Sequence, residues 1–364
     1  MTSLARNLGL GLVVVAMTQV SASAATAPRV AKVPHHRAAA PRTVPAPQYL
    51  HDRIEELGRG FDGLVGIAVK SIDDGWETGW RDHDLYPQQS VSKLWVAITA
   101  LDAVDKGQVS LDDKVTLTKD DLTLFHEPIA AEILKGGSYT TTLGDLMVRE
   151  ITQSDNTAND KLMRVVGGPK AVRAMIARKH LGAIRFANGE RAMQSRIAGL
   201  TWSQDYALNG KFFEVRDALP MSVRSAAFNR YIANPYDGAA PFAVVNALAR
   251  LKRGELLSAG STAHLLDIMS HTHTGPNRLR GGLQPGWTLS HKTGTGQELG
   301  GVQAGYNDVG ILTGPDGKSY AVAVMIKKTS TPLPVRMTMM NNVVAAVIAQ
   351  HDQASAGSSG SKRR

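Results

Sequence analysis

The chain has 364 residues, enough for one large domain or two lobes, an ordinary 43% apolar share, and no cysteine, which excludes disulfides, a cysteine nucleophile and thiolate metal sites. Its formal charge of +9 is concentrated at the ends: Arg6, Arg29, Lys32, Arg37 and Arg42 stand unopposed before residue 51, and Lys362, Arg363 and Arg364 face only Asp352 in the tail from 352 to 364. The body keeps an excess of two, whereas a nucleic-acid-binding domain carries its basic charge on the folded part, so no nucleic-acid partner is expected.

Residues 1–24 read as a secretory signal. Arg6 gives the positive start, Leu8 to Met17 an apolar run too short to span a bilayer, and Ala22-Ser23-Ala24 a small-residue cleavage site. No later stretch is apolar over about 18 residues, so no stable membrane insertion is expected after cleavage. The mature protein is expected in the periplasm or outside the cell. Residues 25–47, rich in Ala, Pro and basic side chains, suit an extended tether. His51 to Leu57 has a helical pattern ended by Gly58 and Gly60. Leu64 to Lys70 and Trp76 to Trp80 read as paired strands around the Asp73-Asp74-Gly75 turn. Ser90 opens a helical run, Leu94 to Val104, that stops at Gly107. Residues 108–265 are helical and loop-rich. Strand character returns at Trp287 to Lys292, then in a hairpin of Val309 to Leu312 and Tyr320 to Ile326 around Pro315-Asp316-Gly317. Val335 to Gln350 makes a last helix, and 352–364 is expected to be a disordered tail. Strands at both ends with helices between imply a two-lobe α/β fold. An antiparallel sheet built from both termini, with flanking helices, would carry an inserted all-helical lobe, the whole catalytic domain spanning 48–351.

Three short motifs carry the chemistry. In Ser90-Val91-Ser92-Lys93 a serine sits where a loop becomes a helix, facing its free N–H groups, with a lysine one turn on. A serine hydroxyl becomes a useful nucleophile once a neighbour takes its proton. In Ser154-Asp155-Asn156, Ser154 could shuttle a proton to a leaving nitrogen, Asn156 could bind a substrate amide, and Asp155 would hold the loop. In Lys292-Thr293-Gly294-Thr295, Lys292 and Thr293 could bind a carboxylate, and Gly294 would let a ligand approach the backbone. The Thr295 N–H could join that of Ser90 in an oxyanion hole. Taken singly, each motif equally suits a helix cap or a strand-end turn. Ser-x-x-Lys even recurs at Ser359-Gly360-Ser361-Lys362. His271 and His273 alternate but lack a third ligand cluster, so neither a metal nor a cofactor is implied.

Together, in this order, the three motifs resemble those of class A serine β-lactamases. The likeness runs from about residue 50 to 350 and is strongest to the divergent, extended-spectrum-like branch. It is carried further by Leu101 to Gly107, Leu111 to Lys114, Thr274 to Leu279 and Asn307 to Leu312. The resemblance implies a β-lactam substrate, a Ser90 acyl-enzyme and a monomer. It places the deacylating carboxylate at Glu190, in Gly189-Glu190-Arg191-Ala192-Met193-Gln194. Gln194 falls where many members hold the hydrolytic water with an asparagine, and Arg278 where some support the carboxylate clamp. Phe125 or His126 would line the cleft entrance. Two other readings stay open: a D-Ala-D-Ala peptidase, and a penicillin-binding or sensing protein that acylates without efficient turnover.

The pattern breaks after Glu190. Asn188 stands where many members place an arginine that pairs with a loop-closing aspartate; the closing segment here is Asn234 to Asp237. The 195–236 stretch is far longer than usual. It carries Trp202, Tyr206, Phe212, Phe213, Phe228, Tyr231 and Tyr236, too many aromatics for a floppy tether. A folded extension beside the cleft is one expectation; a subdomain packed away from it is the other.

Overall fold

The protein is described from a computed structural model covering residues 44–361; the expected signal segment and most of the tether lie outside the described residues. Five antiparallel strands form the main sheet: β1 (Leu64–Ser71), β2 (Glu77–Trp80), β3 (Thr288–Thr295), β4 (Tyr306–Thr313) and β5 (Ser319–Lys328). Their spatial order is β2-β1-β5-β4-β3, so the first and last thirds of the chain pair directly through β1 and β5.

Both sheet faces are covered, which is why β5 reads as an unbroken apolar run. Val322, Val324 and Ile326 face one side with Leu50 and Ile54 of α1 (Gln48–Gly60) and with Met340, Val343 and Val347 of the C-terminal helix. Each such side chain fully buried contributes roughly 1.5–3 kcal/mol. Ala321, Ala323 and Met325 face the other side, in the cluster that includes helix Pro241–Lys252 and the inserted lobe. At the centre of that lobe runs α2 (Lys93–Asp105), in which every residue from Lys93 to Ala103 is buried. Among the described residues, no helix is long and apolar enough to cross a membrane.

Several expectations need correction. The helix α1 runs through Gly58 to Gly60. An interior glycine costs only about 1 kcal/mol, and a Cβ on Gly58 would lie 2.2 Å from the Trp80 ring, so the gap is filled by that indole. The inserted lobe is not wholly helical: Lys114–Thr118 and Ser138–Thr142 pair as a small antiparallel hairpin. The final helix extends over Leu333–Ser361, so 352–361 continues it where a disordered tail was expected. Gln353, Ala354 and Ala356 are good helix formers with no proline to interrupt them.

The 195–236 stretch is folded. It comprises the end of helix Glu190–Ile197, a short 3-10 turn at Gln204–Ala207, helix Lys211–Ala218, and helix Met221–Ala233. Phe212 packs with Leu124 and Ala198 in one small core; Phe228, Tyr231 and Ile232 pack with Met193 and Ile197 in another.

The bend that brings the chain to Ser90 depends on a close approach to the sheet. Buried Tyr86 lies over Gly66 of β1, where a Cβ would sit 2.5 Å from the ring and 2.9 Å from Pro241. Gly66→Ala is expected to cost about 1–3 kcal/mol through this overpacking. Urea unfolding should show a lower midpoint with an unchanged slope.

Candidate active site

The nucleophile segment forms a short 3-10 turn, Gln89–Ser92, that runs into α2. Gln89 takes a left-handed φ of 53° just before Ser90, a conformation that costs a non-glycine residue energy and needs support from its surroundings. That support includes a 2.7 Å bond from its backbone N–H to the Asp237 carboxylate. Lys93, on the first turn of α2, is fully buried and sends Nζ back to Ser90 Oγ at 2.9 Å.

Ser154 has left-handed geometry at the end of a π-helical turn, Arg149–Gln153. Asp155 then caps helix Asn156–Val165 by accepting from the Ala158 N–H at 2.9 Å, and also accepts from Ile129 N–H at 2.7 Å. It therefore holds the loop, as expected. Asn156 accepts from Lys93 at 2.5 Å and donates to the Leu124 carbonyl at 2.8 Å, leaving one amide hydrogen for a ligand.

Glu190 opens helix Glu190–Ile197 and is 2% exposed. Asp160 fixes its backbone, accepting from the N–H groups of Glu190 at 2.9 Å and Arg191 at 3.3 Å. Gly189 is required here: its φ is 88°, and a Cβ would lie 2.7 Å from Met163. One carboxylate oxygen of Glu190 lies 3.2 Å from Lys93 Nζ, and the other accepts from Gln194 Nε2 at 3.1 Å. Gln194 thus grips the base itself. Its amide also reaches Gln89 at 2.9 Å and Gln297 at 3.0 Å.

Lys93 Nζ therefore has four close oxygen neighbours: Ser90 Oγ at 2.9 Å, the Ser154 carbonyl at 3.1 Å, Asn156 Oδ1 at 2.5 Å and Glu190 at 3.2 Å. An ammonium has three protons, so the group sits where a proton can change partner. The Ser154 hydroxyl faces both lysines, accepting from Lys292 at 2.9 Å and Lys93 at 3.4 Å. With both lone pairs engaged, its own proton is free to be donated.

Lys292, Thr293, Gly294 and Thr295 lie on β3 itself, not past its end. Gly294 also makes room inside the protein. A Cβ there would lie 2.3 Å from the Gln88 carbonyl, so the glycine lets the nucleophile segment approach the strand. Buried Arg278 donates to the Gly294 and Asn307 carbonyls at 3.2 and 2.7 Å and to Thr295 Oγ1 at 2.5 Å, with Tyr306 beneath it. Most of its hydrogens are spent on the protein, so it braces the strand and places a positive charge beside Lys292 and Thr293. Burial first, and then the charge of Lys93, hold the Lys292 ammonium well below the usual lysine range.

These side chains meet at a cavity of about 390 Å³ whose lining includes Ser90, Ser154, Asn156, Gln194, Arg278 and Thr293. Phe125, His126 and Arg216 of the long insertion line it too. Phe125 stacks edge-on against Phe212 at 5.2 Å between centroids. The contributions of Gln89, Asp160, Gln297 and Arg216 went unread in the sequence. Only Asp160 left a local trace, four residues after Asn156 on the same helix face. His271 and His273 lie away from this lining: His271 is an exposed C-cap, and His273 bonds through its backbone to Thr152.

Residues 49–351 match the model of the β-lactamase enzyme family, and the chain belongs to that family. It is 25% identical over 292 residues to β-lactamase VEB-1 of Pseudomonas aeruginosa, covering 80% of this chain and 86% of that one. It is 27% identical over 303 residues to the extended-spectrum β-lactamase PER-1 of the same organism, covering 83% and 85%. Among solved structures, a β-lactamase from Chitinophaga pinensis superposes with a TM-score of 0.68 at 28% identity, covering 82% of this chain and 97% of that one. TLA-3 extended-spectrum β-lactamase gives 0.67 at 27% identity, covering 82% and 96%. The chain is a class A serine β-lactamase of the divergent, extended-spectrum-like branch.

The depressed Lys292 value has a kinetic consequence. A lysine clamp is charged below its pKa and loses its charge as pH rises through it. For a carboxylate-bearing substrate, kcat/KM should therefore fall on the alkaline side at a lower pH than an ordinary lysine would give. Lys292→Arg keeps the charge at any working pH and should move that fall upward. Paired pH–rate profiles check both.

Proposed function

We propose that Ser90 attacks the strained lactam carbonyl and that Glu190 drives hydrolysis of the resulting ester. The observation that carries this reading is the position of Lys93 Nζ, 2.9 Å from Ser90 Oγ and 3.2 Å from Glu190. As Lys93 hands a proton to Glu190 it can take the one leaving Ser90, or that proton can pass to Glu190 through a water. Ser154, touching both lysines, returns a proton to the leaving nitrogen. The second amide hydrogen of Asn156 binds the substrate's side-chain carbonyl. Lys292 and Thr293 hold the ring carboxylate, with Arg278 behind them, and the N–H groups of Ser90 and Thr295 receive the oxyanion. Glu190, steadied by Gln194, then takes a proton from the water that attacks the acyl carbonyl. No metal or cofactor enters these steps.

Substrates are read as penicillins and cephalosporins. A protein that only binds or senses penicillin, or a D-Ala-D-Ala peptidase, would not need a buried carboxylate gripped beside the serine and its lysine. The N-terminal pattern around Arg6, Leu8 to Met17 and Ala22 to Ala24 supports export to the periplasm or the medium. We take the protein to act as a monomer, as the family resemblance implies.

Intact mass after mixing with a penicillin and a cephalosporin tests the scheme. Wild type should destroy both drugs with no lasting adduct, while Glu190→Gln should hold one acyl group on Ser90, its deacylation slowed about 10²–10⁴-fold. Equal, persistent adducts on both proteins would remove Glu190 from the role and favour the penicillin-binding reading.

We further read the insertion as part of the cleft wall, supported by Arg216 in the cavity lining and by the Phe125–Phe212 contact. Arg216→Ala should change KM at least threefold for some members of a panel of cephalosporins differing in their acyl side chains. Unchanged constants across the panel would place the insertion outside the cleft.

A further inference from the structure

The insertion also reaches the catalytic base from behind. Label its last helix, Met221–Ala233, α3. Tyr231 of α3 is fully buried, with its hydroxyl donating to Asp237 Oδ1 at 3.0 Å and accepting from Gln89 Nε2 at 2.5 Å. Gln89 Oε1 accepts from Gln194 Nε2 at 2.9 Å, and that same Nε2 lies 3.1 Å from Glu190 Oε2. Gln194 Oε1 is occupied by Gln297 Nε2 at 3.0 Å.

Donor and acceptor roles along this chain are not free. Asp237 is buried, and its carboxyl is pushed up to about 6, so above that pH it is a carboxylate that can only accept. One oxygen accepts the Gln89 backbone N–H, and the other accepts the single proton of Tyr231. Having spent that proton, the tyrosine oxygen can only accept, so Gln89 must turn its NH₂ toward Tyr231 and its carbonyl toward Gln194. Gln194 must then turn its NH₂ toward Gln89 and Glu190. Flipping either amide would set two donors or two acceptors against each other in a dry site, at the cost of an unsatisfied buried polar group.

We propose that Tyr231 is a positioning residue for deacylation: through Gln89 and Gln194 it fixes the amide that holds Glu190 in its accepting, base-competent orientation. Tyr231 touches no reacting atom. The chain links the far end of the insertion to the one step that separates turnover from trapping. The inference rests on the reading of Glu190 as the deacylating base.

Tyr231→Phe keeps the ring and removes only the hydroxyl. The probe is a good penicillin substrate at pH 7.5, with the acyl-enzyme formed in a pulse and its disappearance followed by intact mass. Only acylated, hence folded, protein is counted, so partial misfolding cannot mimic the effect. The deacylation rate constant should drop about tenfold, the scale of one lost buried hydrogen bond, while kcat/KM, which reports acylation, stays within about twofold. Steady-state kcat and KM should fall together. A deacylation constant within about twofold of wild type, even with a lower Tm, would reduce Tyr231 to a packing residue. A fall in kcat/KM as large as that in deacylation would move its effect to the nucleophile, and either result overturns the proposal. Glu190→Gln run alongside separates the two levels: if it deacylates normally, the base reading has failed; if it stalls while Tyr231→Phe does not, only the present inference has.

Discussion

A fully buried lysine ammonium is expensive to keep unless acceptors surround it, and Lys93 sets the terms for the whole site. Its partners come from four separate places in the fold: the turn before α2, the Ser154 loop, the start of the Asn156 helix, and the start of the Glu190 helix. Removing any one acceptor leaves a buried cation short of a partner. The same condition that stabilises the charge thus fixes Ser90, Ser154 and Glu190 to within hydrogen-bond distance of one nitrogen. Chemistry and packing are here one requirement.

The loop behind Glu190 meets a related problem without an ion pair. With Asn188 in place of a basic residue, the charge of Asp237 is offset by a backbone N–H and a phenol. Burial pushes the Asp237 carboxyl up, and two neutral donors offset that less completely than a guanidinium would. Elsewhere the segment is tied by hydrogen bonds between a charged and a neutral group: Arg173 to Asn188, Arg185 to Asn234, and Asp160 to the backbone of the helix start. The insertion supplies the tyrosine in that arrangement and a hydrophobic seat beneath it, formed with Met193 and Ile197. Its length is matched by its structural work.

What the sequence made legible follows from range. Ser90 with Lys93, and Ser154 with Asn156, sit within one turn of each other, so spacing alone predicts that they share a site. The sheet was legible because its strands alternate or run apolar between plain turns. The small hairpin of Lys114–Thr118 with Ser138–Thr142 was not, since Thr-rich, half-exposed strands separated by nineteen residues give little periodic signal. Still less visible were contacts between distant residues. Gln89 and Tyr231 lie 142 positions apart, and neither belongs to a motif that names the other. Gly294 shows a further limit: its type was readable and its packing reason was not, because the crowding atom belongs to Gln88.

The two lysines also couple binding to reaction. Lys292 and Lys93 both donate to Ser154 Oγ, and burial, followed by the charge of Lys93, favours loss of a proton from Lys292. On the proposed scheme, a substrate carboxylate arriving at Lys292 and Thr293 supplies the missing counter-charge and favours the protonated lysine. A protonated Lys292 in turn keeps the Ser154 oxygen an acceptor on that side, so the serine's own proton points into the cleft, where the lactam nitrogen will need it. An anion at one end of the cavity thereby orients the shuttle at its centre. A neutral analogue with the same ring loses more than an ionic contact, because the hydroxyl between the two lysines is no longer held in one sense.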